Sequence, residues 1–189
     1  YSHSGVDAKA LARAVAYLGS KGGGSTLTQQ LAKMQYNEPA RNLVERIGQK
    51  LGEWIIAVQL ERLYTKDEII ALYLNQLDFL YQAVGINSAA RVYFNKKPID
   101  LTIEEAAVFV AMAKNPSLYN PKRYPERTKQ RRDQVFVQMV KNGMLTVEEK
   151  DSLQQIPLQL EFRPQSHTAG LAPYFREYLR GYMKEWIKD

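Results

Sequence analysis

An all-α fold is predicted by three observations. Four stretches, Thr26-Leu27-Thr28-Gln29, Thr65-x-x-Glu68, Thr102-x-x-Glu105 and Thr146-x-x-Glu149, fit the capping box, in which the first side chain caps the third helical N–H and the acid or amide reaches back. Each precedes a run whose apolar residues recur every three or four positions, the spacing of one helix face. Period-two alternation, the mark of a strand, is almost absent. With 189 residues, 45% of them apolar and 24% charged, the chain suits one globular domain with a smaller appendage.

The elements follow in order. Residues 7–18 are alanine-rich and amphipathic, with Gly19 placed to end a helix. Gly22-Gly23-Gly24 then leads into a helix expected from 26 to about 36. A long helix follows Pro39, its apolar stripe formed by Leu43, Val44, Ile47, Leu51, Ile55 and Val58, with Trp54 at the boundary. Thr65, Thr102 and Thr146 open three more helices. Pro125 suits a first helical position, and Gly143 ends that helix. From Gln155 to Ala172 the pattern breaks: Ile156 to Phe162 alternates apolar and polar, then Pro164 and Gly170 interrupt. Pro173 starts a last helix rich in aromatics and charge.

The chemistry concentrates early. Three glycines let a backbone approach a ligand closely, and the helix they launch offers free N–H groups and a positive dipole end to an anion. Taken alone, a glycine-serine loop before a helix is also an ordinary connection. On the long helix, Lys50, Glu53, Ala57 and Glu61 share one face, opposite the apolar stripe; by spacing alone Lys50 and Glu53 read as a solvated pair. Lys114 by itself reads as a helix C-terminal lysine complementing the dipole. A net charge of +6 favours an anionic partner: nucleic acid, a phosphorylated substrate or an acidic membrane surface. Without cysteine the chain has no disulfide and no thiolate metal site. No stretch approaches the ~20 apolar residues of a membrane span, and the start at Tyr1 suggests a fragment of a longer chain.

The string Gly23-Gly24-Ser25-Thr26-Leu27-Thr28-Gln29-Gln30-Leu31-Ala32-Lys33 resembles the second signature motif of the peptidoglycan glycosyltransferases, found in class A penicillin-binding proteins and monofunctional transglycosylases. Tyr1 to Asp7 resembles the end of the first motif, and Gln49-Lys50-Leu51-Gly52-Glu53 running to Leu60-Glu61 the third. Ile69 to Asn75 resembles the fourth, and Arg131-Arg132-Asp133-Gln134-Val135 with Met139 the fifth. The likeness covers residues 1–160. Residues 161–189 resemble the linker and helix that lead towards a transpeptidase domain, which itself is absent because no Ser-x-x-Lys motif occurs.

The resemblance implies an all-α, lysozyme-like domain with a head and a small membrane-facing jaw lobe. The implied reaction is glycan polymerisation from lipid II: the acceptor's sugar hydroxyl displaces undecaprenyl pyrophosphate from the growing strand, with inversion. Glu53 is the implied catalytic residue within this chain, an acidic side chain near the donor's pyrophosphate that assists the leaving group through a divalent cation or neighbouring bases. Ser25, Thr26, Gln30, Lys33, Lys50, Lys114, Ser117 and Arg132 are the implied substrate-binding residues, with Ser25 and Thr26 serving as hydroxyl donors or as caps only. Of Arg131 and Arg132, one is expected to pair with an acid and the other to be solvated. Asn75 closes its helix. The family's general-base glutamate precedes the aromatic that matches Tyr1, so the resemblance places it upstream of this sequence; Asp7 reads as a helix cap and His3 as structural.

A divalent cation, Mg or Mn, is implied as a cofactor, with no organic cofactor. The implied partners are lipid II and the growing glycan strand, moenomycin-type inhibitors, the bacterial membrane and cell-wall synthesis proteins, and no nucleic acid. The implied location is the outer face of the cytoplasmic membrane, with an anchoring helix upstream. Met34, Tyr36 and Leu43 are candidates for dipping into the bilayer, beside a flap at 37–40. Two departures stand out: Gln49 replaces a usual arginine, and Leu80 and Gln82 replace glycines. A muramidase on the same scaffold and a non-enzymatic basic helical module are the competing readings. Gln30, Lys33 and Lys114 argue against the first, and the placement of the cations inside motifs argues against the second.

Overall fold

The computed structural model describes residues 5, 7, 24–34, 42–164 and 173–187. They form eight α-helices and one short 3-10 turn, with no strand: α1 (Leu27–Lys33), α2 (Leu43–Leu63), α3 (Lys66–Gln76), α4 (Ile86–Phe94), the turn Pro98–Asp100, α5 (Ile103–Lys114), α6 (Pro125–Lys141), α7 (Val147–Gln155) and α8 (Pro173–Trp186). The all-α expectation is met. All four expected capping boxes form, at Thr26, Thr65, Thr102 and Thr146. At Thr65 the backbone and hydroxyl donors hold the Glu68 carboxyl below its ordinary value. Residues 8–18 of the helix expected over 7–18, along with His3, Gly22, Gly23, Tyr36 and the flap at 37–40, lie outside the described residues.

The chain divides into two compact units, residues 1–77 and 78–189. In the first, α1 packs on α2 and α3. Leu31 and Ala32 of α1, Ala57 of α2, and Ile69 and Tyr73 of α3 are buried there. The long helix α2 is turned the opposite way from its hydrophobic pattern. Val44, Ile47, Leu51 and Ile55, expected inside, are exposed, while Glu53 and Ala57 are buried. Polar partners set this orientation. Thr28 of α1 donates to Glu61 Oε1 at 2.5 Å, and Lys66 pairs with Glu61 Oε2 at 2.5 Å. A buried carboxylate is tolerable only when so partnered.

The second unit is built on an aromatic core. Phe79, Tyr93, Phe94 and Phe109 meet edge to face, with centroids 5.3–6.0 Å apart. Tyr93 donates to Phe79 O at 2.6 Å and accepts from Asn120 Nδ2 at 3.1 Å, and burial pushes its phenol well above the ordinary value. The alternating segment after α7 forms no strand but runs as a strap. Phe162 packs on Tyr81 and Tyr93, and Arg163 N–H donates to Val92 O at 2.7 Å. The strap therefore stays attached past residue 160. On α8, Tyr174, Phe175, Tyr178 and Trp186 are all exposed.

Before α4, Asp78 and Val84 bridge antiparallel, and Leu80, Tyr81 and Gln82 all have positive φ, at 69°, 52° and 64°. These include the two positions where glycine was expected. A residue with a Cβ is strained there by about 1 kcal/mol. Gln82→Gly is therefore expected to raise unfolding free energy by about 1 kcal/mol, measured by chemical denaturation. A loss of stability would show that the Gln82 side chain contributes more than its backbone costs.

Candidate active site

Five of the implied catalytic and substrate-binding residues, Ser25, Gln30, Lys33, Lys50 and Glu53, line one cleft in the first unit. Ser25, Gln29, Gln30, Lys33 and Met34 from the start and length of α1, with Lys50 and Glu53 of α2, enclose about 470 Å³. The local folding is direct. The Thr26 cap starts α1 immediately after the glycine segment, which leaves Ser25 exposed at the cleft mouth. Three-residue spacing then puts Gln30 and Lys33 on one side of α1, both exposed. Because α2 turns its charged face inward, Glu53 enters the same cleft.

Glu53 is 4% exposed, which removes the solvated-pair reading. Lys50 Nζ lies 2.5 Å from Glu53 Oε2, one turn away on the same face. The lysine stays half-exposed, so it can reach a ligand while neutralising the acid. The cleft thus carries one carboxylate, two ammonium groups and amide donors. That set suits an anion with several oxygens and a developing negative charge.

Thr26 does not line the cleft. It is buried, its hydroxyl donating to Gly5 O at 2.6 Å and accepting from Gln29 N–H at 3.2 Å. Its part is the cap, one of the two roles allowed by the sequence. Tyr73 of α3, not picked out beforehand, donates its hydroxyl to Gln30 Oε1 at 3.4 Å. Burial raises its phenol above the ordinary value, which keeps that hydroxyl a donor. Gln29 closes the expected capping box, accepting at Oε1 from Thr26 N–H at 3.1 Å. The capping box was the signal for Gln29; Tyr73 lies within the fourth-motif stretch Ile69 to Asn75, but nothing there pointed to its contact with Gln30.

Lys114, Ser117 and Arg132 belong to the second unit. Lys114 ends α5, exposed, with Nζ 5.9 Å from the centre of the Tyr119 ring. Ser117 is exposed in the turn that follows. Arg132 is corrected from ligand to brace. It is 1% exposed, donating to Asp133 Oδ1 at 2.9 and 3.1 Å and to Ile156 O at 2.9 Å. Helix phase turns it into the core above Phe136 and lets it hold the start of the strap. It is the arginine that pairs with an acid. Arg131 is half-buried, against the Tyr119 ring, and donates to Gln134 Oε1 at 2.7 Å. Asn75 lies in the last turn of α3, as expected.

The family model for transglycosylases matches residues 1–140. The chain belongs to the transglycosylase family. This transglycosylase domain is 40% identical over 189 residues to penicillin-binding protein 1F of Bacillus subtilis, covering 98% of this chain and 25% of that protein. It is 36% identical over 184 residues to penicillin-binding protein 1A of Escherichia coli, covering 95% of this chain and 21% of that protein. The chain spans a quarter or less of the length of these relatives. A crystal structure of penicillin-binding protein 1A from Haemophilus influenzae covers 85% of this chain and 20% of its own, at 24% identity and a TM-score of 0.49. The general class, a peptidoglycan glycosyltransferase, follows from the family. No described helix is long and apolar enough to cross a membrane.

Proposed function

We propose that the cleft of the first unit holds the diphosphate of a lipid-linked sugar donor during glycan polymerisation from lipid II. The observation that carries this reading is the buried Glu53, paired with Lys50, in one cleft with Gln30 and Lys33. In the reaction, an acceptor hydroxyl forms a bond to the anomeric carbon as the bond to undecaprenyl pyrophosphate breaks, inverting that carbon. Negative charge grows on the departing diphosphate. Lys33 and Lys50 neutralise it, and Gln30, oriented by Tyr73, donates to a phosphate oxygen. Glu53 keeps Lys50 aimed into the cleft. The hydroxyl's proton goes to a carboxylate base, a role the family resemblance gives to a glutamate of the first motif.

A divalent cation fits only as a shared ligand. The described residues hold no cluster of three His, Asp or Glu side chains, so Glu53 would hold the ion together with phosphate oxygens. Such an ion would supply further charge neutralisation at the diphosphate. The exposed stripe of Val44, Ile47, Leu51 and Ile55 extends the bilayer-facing candidates beyond Met34 and Leu43 and supports contact with a membrane surface beside the lipid carrier; the outer face of the cytoplasmic membrane is the proposed location.

The test is lipid II turnover by the longest natural form of the chain, with release of undecaprenyl pyrophosphate. Lys33→Ala is expected to weaken binding of a lipid diphosphate about tenfold, as loss of one charge-assisted contact would. The same form is expected to bind a moenomycin-type inhibitor in this cleft. Unaltered binding in Lys33→Ala would remove this cleft from donor recognition.

A further inference from the structure

Gly5 has φ +94° and is buried against α2. A Cβ built there would lie 2.8 Å from Ala57 O, 2.9 Å from Ala57 C and 3.1 Å from Val58 N. All three are helix backbone, which cannot give way as a side chain tip can. The Gly5 carbonyl in turn accepts the Thr26 hydroxyl at 2.6 Å, and that hydroxyl is the cap of α1. Ala57 follows Glu53 by four residues on the same face of α2. A single glycine backbone therefore touches both walls of the cleft, at the start of α1 and one turn beyond Glu53.

Resting on the reading of the cleft given above, we propose that Gly5 and Thr26 form a positioning junction that sets the spacing between Gln30 and Lys33 on α1 and Lys50 and Glu53 on α2. Gly5 allows the close approach, and the Thr26 hydroxyl fixes it. Neither touches substrate. Their effect comes through geometry, where a displacement of about 1 Å at reacting groups costs on the order of 10²-fold in rate.

Substituting Gly5 threatens folding, so the informative pair is at Thr26. Thr26→Asp keeps a good N-cap acceptor for Gln29 N–H but has no proton to donate to Gly5 O. Thr26→Ser keeps both. The longest natural form of the chain is assayed for lipid II turnover, for affinity towards farnesyl pyrophosphate and for folded fraction by thermal melting. Thr26→Ser is expected to match the parent within about twofold, since it preserves both hydrogen bonds. Thr26→Asp is expected to lose turnover by about 10²-fold and farnesyl pyrophosphate affinity by about tenfold, both beyond whatever its folded fraction loses to the buried carboxylate. A Thr26→Asp variant with parental turnover and affinity, or with losses that only track its folded fraction, overturns the junction alone. A parent that neither binds the probe nor consumes lipid II overturns the reading of the cleft and the junction with it.

Discussion

Glu53→Gln is expected to lower lipid II polymerisation by on the order of 10³-fold, in the range of an acid–base or charge-positioning group at the reacting centre. Glutamine keeps the shape of the side chain, and with it the packing of a residue that is 4% exposed. What it removes is the charge that holds Lys50 Nζ at 2.5 Å. The freed ammonium remains half-exposed in the cleft, so affinity for a lipid diphosphate should be unchanged or slightly higher. Loss of turnover with retained binding separates Glu53 from simple donor recognition. Turnover within a few-fold of the parent would remove it from the mechanism.

The second large effect is one of stability. Arg132→Ala is expected to cost about 3 kcal/mol in the second unit, because it empties a buried volume and breaks a buried charge pair. It also releases Ile156 O at the root of the strap. The same variant should leave the KM for lipid II unchanged in the folded fraction, because its guanidinium faces Asp133 and the core. Denaturation and steady-state kinetics on one preparation decide the matter. A raised KM at parental stability would restore Arg132 to the ligand-binding set.

These two residues show what the sequence could and could not reveal. The helices were legible because their caps are local: Thr65 and Glu68 meet within one turn, whatever the rest of the fold does. The cleft residues Gln30, Lys33, Lys50 and Glu53 were legible through motif likeness and helical spacing. Spacing shows which residues share a face but not which face is inside. On α2 the apolar stripe is the larger hydrophobic surface, yet Glu61, tied to Thr28 and Lys66, turns the charged face inward. That choice rests on partners 33 residues upstream and on the next helix, beyond the reach of local periodicity. Arg131 and Arg132 are adjacent and alike in sequence, and only the phase of α6 against the core separates them. The roles of Gly5 and Tyr73 were hidden for the same reason, because each acts through a contact distant in the chain. The replacement of glycine at 80 and 82 was visible, but its strain appears only as positive φ.

In the proposed reaction a donor diphosphate lies between α1 and α2. The most direct measurement is a crystal structure of the chain with farnesyl pyrophosphate, read for the position of the two phosphorus atoms. The two phosphorus atoms are expected in the cleft of the first unit, with phosphate oxygens within hydrogen-bond reach of Lys33 and Lys50 and with Glu53 beside them. Diphosphate bound instead in the pocket of Tyr119, Arg127 and Arg131 in the second unit, with the Glu53 cleft empty, would contradict it.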